Sequence, residues 1–273
     1  MPFHFIYRDF LKFLDALDHQ DAWEAYEKYY LRPHRKFLES YWRTFRWMDI
    51  GQIRDRVKKV KRGDYSTLVS LLKGFDLESE AEGILSKCTG VIEAPQEPEV
   101  YFMVGFFSAD GFVIELGGKP VIGFGLERFK SWRALPIIFA HEYGHYLRHL
   151  WRSDEPYFCD GSDLSGRSLL AEGLSTAFSE RAFPEYPLRE YLFFTQERLC
   201  WCQENEEYLW QALDRAFKGE VNFTIFWMGD ADLDIPPRAG NYLGYRLVKE
   251  YLMRHREIGL RSLLELKEVK LLL

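Results

Sequence analysis

His141, Glu142 and His145 stand in the run Ile137-Ile138-Phe139-Ala140-His141-Glu142-Tyr143-Gly144-His145, an H-E-x-x-H pattern set among apolar residues. On a helix, positions four apart lie one above the other, so His141 and His145 can turn ring nitrogens toward a single point. That point suits a zinc ion, which takes nitrogen and oxygen ligands at about 2.0–2.2 Å and, with three protein ligands, keeps a fourth position for water. Glu142 is turned about 100° round the helix from His141, which places its carboxylate beside the fourth position, where it can act as a general base.

A third ligand decides whether the pattern is a site. Ser168-Leu169-Leu170-Ala171-Glu172-Gly173-Leu174-Ser175 supplies one, because a carboxylate on a mostly apolar helix costs several kcal/mol unless something positive compensates it. Glu180, Asp160 and Asp163 are fallback ligands. The plainer alternative pairs Glu172 with Arg148 or Arg167 and leaves both histidines as ordinary core or surface residues. His149 extends the line of histidines, but eight residues span about 12 Å of helix, too far for one ion to hold all three. It reads as a surface or supporting histidine.

The elements that must carry these residues are legible from periodicity and turn chemistry. From Asp9 to Cys88, aromatic residues recur at helical spacing (Trp23, Tyr26, Tyr30; Phe37, Tyr41, Phe45), which predicts a helical N-terminal region. Arg54, Arg56, Lys58, Lys59, Lys61 and Arg62 read as a solvated helix face. The segment Glu93-Ala94-Pro95-Gln96-Glu97-Pro98-Glu99 is the candidate boundary, dividing the chain into 1–95 and 96–273. Short strands are expected over Val100–Phe107, Phe112–Leu116 and Val121–Leu126, separated by Ser108-Ala109-Asp110-Gly111 and Gly117-Gly118-Lys119-Pro120. Helices follow over about 132–151, 167–182, 187–216, 240–255 and 259–270.

Composition bounds the function classes. The chain has 273 residues, 47% hydrophobic and 17% aromatic, and 36 basic against 42 acidic side chains leave a net charge of −6. This is a folded protein without the overall basic bias of a nucleic-acid binder. No apolar run reaches the roughly 18 residues of a membrane span. Four cysteines without a Cys-x-x-Cys pair, and an N-terminus interleaved with charges, give the expectation of a cytoplasmic protein with buried or half-buried thiols.

Taken together, Val100–Leu252 resembles the predicted zinc-dependent proteases of gluzincin type, long catalogued as a domain of unknown function. The resemblance rests on the strand and Gly-Gly turn before the site, on Leu135-Pro136 leading into His141–His145, on Leu170-Ala171-Glu172-Gly173-Leu174, and on Gly240-Asn241-Tyr242-Leu243-Gly244-Tyr245-Arg246-Leu247-Val248. It implies one zinc per chain on His141, His145 and Glu172, with Glu142 catalytic. Thr176 occupies the position where gluzincins often carry an aspartate that orients a zinc histidine. Gluzincin chemistry also wants a donor for the developing oxyanion, for which Tyr245, Tyr242 and Arg238 are the candidates in that order. Trp201, Trp210, Phe223 and Trp227 could line a pocket, although such spacing more often makes core.

The resulting expectation is an α+β, mainly helical fold: a zincin (thermolysin-like) catalytic core, a small β-sheet and a helical N-terminal region. The expected function is zinc peptidase action on a peptide or protein substrate, with metal-activated water and Glu142 as base. A zinc-dependent hydrolase of a non-peptide amide or ester, or a catalytically idle metal-binding regulatory protein, are the alternatives.

Overall fold

A computed structural model describes residues 3–45, 49–152, 154 and 166–266. The chain is mainly helical with one small sheet, an α+β arrangement, and it gathers into two compact units. Unit 1 comprises Met1–Ser86 and Ala94–Glu142; unit 2 comprises Lys87–Glu93 and Tyr143–Leu273.

Unit 1 opens with strand β1 (Phe3–His4) and helices α1 (Tyr7–Ala16) and α2 (Ala22–Tyr26). A π-helical turn over Glu27–Leu31 leads into α3 (Arg32–Thr44), then α4 (Ile50–Val57), α5 (Ser66–Leu72) and the first part of α6 (Leu77–Val91). Asp21 caps α2 by accepting from the backbone N–H groups of Trp23 and Glu24 at 2.9 and 3.1 Å, and Asp49 with Gln52 forms a capping box on α4. The aromatic stripe faces inward as its spacing predicts. Phe37 stacks on Tyr101 at 4.0 Å, and Tyr41 and Phe45 close on Phe112 at 4.7 and 5.8 Å. On α4 only Ile53 and Val57 are buried, so the basic run is a solvated face.

The sheet has the order β1-β2-β4-β3, with β2 (Val100–Met103), β3 (Gly111–Leu116) and β4 (Lys119–Gly125). β1 and β4 run parallel to β2, and β3 is antiparallel to β4. The β3–β4 register closes on Leu116 opposite Lys119, leaving Gly117 and Gly118 as a two-residue turn with φ of +63° and +82°. Two successive left-handed residues are what a type I′ hairpin needs, and two glycines meet that need without strain. β1 was not expected. Its two residues pair with Val100 and Tyr101, far away in sequence, and so leave no local signal.

Between β2 and β3 the chain turns through Phe106 and Phe107, both left-handed at φ +58° and +63°. The buried Glu127 carboxylate holds this turn: its Oε1 accepts the backbone N–H of Gly105 at 2.7 Å and of Phe107 at 2.8 Å. Burial pushes the Glu127 carboxyl up to about 7, against the lowering effect of those donors.

Residues 1–86 and 94–142 gather into one compact unit, in which the Tyr30 hydroxyl donates to the Val104 carbonyl and accepts from the Val104 N–H, both at 3.0 Å. The compact division therefore differs from the 1–95 and 96–273 split read from the proline-rich segment. Helix α7 spans Leu135–Trp151.

Unit 2 carries α8 (Gly166–Ala182), α9 (Leu188–Tyr191), α10 (Gln196–Glu204), α11 (Glu206–Phe217), α12 (Ile225–Met228), α13 (Ala239–Arg254) and α14 (Leu260–Leu263). The single helix expected over 187–216 is three helices. Phe193 adopts φ +55°, Thr195 caps a fresh start by accepting the Arg198 N–H, and Asn205 leaves helical geometry before α11. No helix among the described residues is long and apolar enough to cross a membrane. Cys88 and Cys202 are buried free thiols and Cys200 is half-buried; burial pushes the Cys202 thiol up to about 12. Cys159 lies outside the described residues.

Candidate metal centre

Helix α7 follows a 3-10 turn (Trp132–Ala134) and takes Pro136 in its first turn, where a missing N–H leaves no hydrogen bond unmade. It is buried on most of its circumference: Ile137, Phe139, Ala140, Tyr143, Tyr146 and Leu147 are almost wholly shielded, and the Tyr143 hydroxyl donates to the Ile92 carbonyl at 3.0 Å. At its C-terminal end the buried Arg148 donates to the carbonyls of Leu264 and Leu266 at 3.2 and 3.0 Å, and Arg152 reaches the Glu265 carbonyl at 3.4 Å and both oxygens of Asp154 at 2.8 Å. These bonds tie the helix to the chain after α14.

Two close approaches set α8 in place. At Gly144 an added Cβ would stand 2.9 Å from the Ser175 Cα, so the residue just before the motif's second histidine lets α7 and α8 touch backbone to backbone. At Gly173 it would stand 2.2 Å from the Gly244 carbonyl oxygen, and at Gly244 it would stand 2.1 Å from that of Leu169. α8 and α13 therefore cross at a glycine pair, which fixes Glu172 along the chain. Gly244 therefore serves close packing of the two helices.

The result is a cluster. His141, His145 and Glu172 each offer a ligand atom, and these atoms lie within 4.8 Å of one another, with His145 Nε2 3.3 Å from Glu172 Oε1. His141 is buried, whereas His145 and Glu172 are partly accessible, with side-chain exposures of 18% and 26%. Two imidazole nitrogens and a carboxylate oxygen are a donor set that zinc accepts. Arg148, the alternative partner considered for Glu172, makes the backbone bonds described above.

Glu142 is buried close to the start of β3: a Cβ on Gly111 would come within 2.9 Å of its Oε1. His149 is buried, not a surface residue, and burial first, then the neighbouring His145 and Arg148, lowers its pKa to about 3, so its ring stays neutral. Tyr245 donates to Glu180 Oε1 at 2.9 Å, and Lys249 reaches Glu180 Oε2 at 2.7 Å. Tyr242 donates to Glu206 Oε2 at 2.5 Å. Burial raises the pKa of both phenols, and each carboxylate partner adds to the rise. Both tyrosines thus have their protons committed to glutamates, and the fallback ligand Glu180 is likewise engaged. The other two fallbacks, Asp160 and Asp163, lie outside the described residues.

Arg238 starts α13 at φ +66° with its guanidinium 5.7 Å from the Phe193 ring centroid. Trp227 packs over Gly240, and Phe223 packs on Phe217 and Phe226; of these aromatic residues only Phe226 is buried, and Trp227, Phe223 and Phe217 are half-buried. Thr176 is fully buried, and its hydroxyl has no hydrogen-bond partner among the described residues.

Residues 166–273 match the family described as Gliding motility protein GldB. No curated protein and no solved structure matches the chain. The matched stretch contains Glu172 and the whole Gly240–Val248 block, two of the segments on which the resemblance to gluzincin-type proteases rests. These segments are short helix-packing runs, and the glycine pair Gly173 and Gly244 accounts for much of their pattern. The expectations of a zinc-protease family, of peptide hydrolysis and of a hydrolytic enzyme are corrected on this finding: over its C-terminal two fifths the chain is similar to a gliding motility protein, not to a protease.

Proposed function

We propose that this chain is a divalent-metal-binding protein, with one zinc held by His141, His145 and Glu172, and that it acts through protein partners in an assembly of the gliding-motility kind. The observation that carries the reading is the three-ligand cluster, whose donor atoms lie within 4.8 Å of one another on α7 and α8. A carboxylate on a helix buried over most of its length calls for a compensating positive charge. An ion there would join the two helices much as a structural zinc staples a small domain. In fold terms, this makes α7 and α8 a zincin-like helix pair. The setting comes from the similarity of residues 166–273 to a gliding motility protein, since that stretch includes the Glu172 ligand.

The test is metal content and metal-dependent stability of the purified full chain. The wild type is expected to hold about one zinc and to melt at a higher temperature with zinc than after chelation, because a ligand that binds only the folded state stabilises it. Glu172→Ala and His145→Ala should lose most of the metal, while Glu142→Gln keeps it. Equal zinc content in Glu172→Ala and wild type, or no uptake by the wild type, overturns the reading. Cell fractionation separates the cytoplasmic placement expected from sequence from an envelope placement in keeping with the matched family.

A further inference from the structure

Unit 1 contains a cavity of about 650 Å³, formed where β1, the start of α1, the start of α3, β2 and the β3–β4 turn come together. Its size is that of a small-molecule site. The charges around it are unevenly matched. Asp9 is engaged twice, by His34 Nε2 at 2.7 Å and Lys12 Nζ at 2.6 Å. Glu99 is also engaged twice, accepting from the Tyr101 hydroxyl at 3.1 Å and lying 3.5 Å from His4 Nε2. Lys36 and Lys119, which line the same cavity, make no ion pair or hydrogen bond among the described residues. Two ammonium groups that no carboxylate pairs therefore line a space whose two carboxylates, Asp9 and Glu99, are bonded to other side chains.

The local backbone is built around this wall. The π-helical turn Glu27–Leu31 precedes α3, and His34 departs from helical geometry at φ −118°, ψ 20°, one residue after Pro33. Such π turns recur at functional sites because an extra residue in a turn re-aims the side chains that follow. Here the residues that follow are His34 and Lys36. The Lys36 ammonium rests against the hairpin, 3.2 Å from where a Cβ on Gly117 would be, two residues before Lys119. The aromatic side of the cavity is a stack: His4 lies on Tyr101 at 4.2 Å and Tyr101 on Phe37 at 4.0 Å, each pair tilted by 11°. Phe5 lines the cavity beside them.

We propose that this cavity binds a small organic phosphate, with the phosphate between Lys36 and Lys119 and the organic part against Phe5 and the His4–Tyr101 stack. Two ammonium point charges match a phosphate dianion. A cavity of this volume exceeds what a bare ion fills, and the aromatic wall gives the remainder of the ligand an apolar contact. This inference is independent of the metal reading and uses none of its residues.

The experiment is calorimetric titration of the full chain with adenosine monophosphate, glucose 6-phosphate, phosphotyrosine and inorganic phosphate. It is paired with NMR of the histidine side chains. At least one organic phosphate should bind at least tenfold tighter than inorganic phosphate, and the signals of His4 and His34 should shift with it. Lys36→Gln and Lys119→Gln should each weaken binding by about tenfold, the size of one charge-assisted contact. Three results overturn the proposal: no measurable binding of any of the three organic phosphates, equal affinity for inorganic phosphate, or unchanged binding in the double lysine variant. The wild-type shifts decide alone if a variant misfolds, since shifts that spare both histidines place the ligand elsewhere.

Discussion

Unit 1 holds a buried glutamate and unit 2 a half-buried one, and the two are held in different ways. In unit 1 Glu127 is held by its own chain: two backbone N–H groups of a left-handed turn converge on one oxygen. In unit 2 Glu172 faces imidazole, 3.3 Å from His145, on a helix pinned by glycine contacts on two sides. A carboxylate met by backbone amides is a fastener for a loop. One grouped with two histidines, partly open to solvent, is the donor set on which the proposed metal site rests. Both burial and neighbours set them apart: Glu127 is buried against backbone amides, whereas Glu172 is half-buried among imidazoles.

The comparison breaks most severely if the glycine packing around Glu172 is disturbed. Gly173→Ala puts a methyl carbon about where the Gly244 carbonyl oxygen stands, 2.2 Å from it, and the obstacle is backbone that cannot rotate aside. Overpacking of this kind costs typically 1–3 kcal/mol, and the rigid neighbour puts the expected loss at about 3 kcal/mol. Urea unfolding measures it. A loss below about 0.5 kcal/mol would mean that α8 and α13 are free to separate, and that the crossing does not set the height of Glu172.

How much of this could be read beforehand follows from the range of each signal. The helix under His141–His145, the second helix under Glu172 and the β3–β4 hairpin rest on local periodicity and turn chemistry, and they are found as expected. β1 pairs with residues near 100 and has no such signal. Glu127, between Leu126 and Arg128, carries no signal of its role in the sequence; only the loop geometry reveals what its carboxylate holds. His149, read as a surface or supporting residue, is buried, because α7 is shielded at its C-terminal end by the chain around residues 264–266. The functional resemblance failed for a related reason. Its blocks mark where helices meet closely, and helix contact is compatible with a gliding motility protein as well as with a protease.

The Glu127 side of the comparison sharpens with pH. Its carboxyl is pushed up to about 7 in the folded chain, above the usual glutamate value near 4.5. Between those values the folded state holds a proton that the unfolded state has released, so stability falls as pH rises through that window. Glu127→Gln keeps an oxygen to accept from Gly105 and Phe107 but does not ionise. The wild type is therefore expected to lose on the order of 2–3 kcal/mol relative to the variant between pH 4.5 and 7.5. Thermal melts of both proteins across that range test it. Parallel pH profiles would show that Glu127 is ionised throughout, held by its two amides more firmly than its burial opposes.

The smallest effect concerns Thr176, one helical turn after Glu172 on α8. Its hydroxyl is fully buried without a hydrogen-bond partner among the described residues, so it carries the cost of desolvation with no bond in return. Thr176→Val removes the polar atom and keeps the branched shape, and it should raise stability by about 1 kcal/mol. The same variant probes the metal reading from a second direction. If the ligands on α7 and α8 are held by packing, at Gly144 against Ser175 and Gly173 against Gly244, zinc affinity in Thr176→Val should match wild type within about twofold. A loss of tenfold or more in zinc affinity, with folding intact, would instead make the hydroxyl a partner of the ligand set when metal is bound. The carboxylate in unit 2 would then depend on a side-chain donor, whereas the one in unit 1 is held by backbone amides.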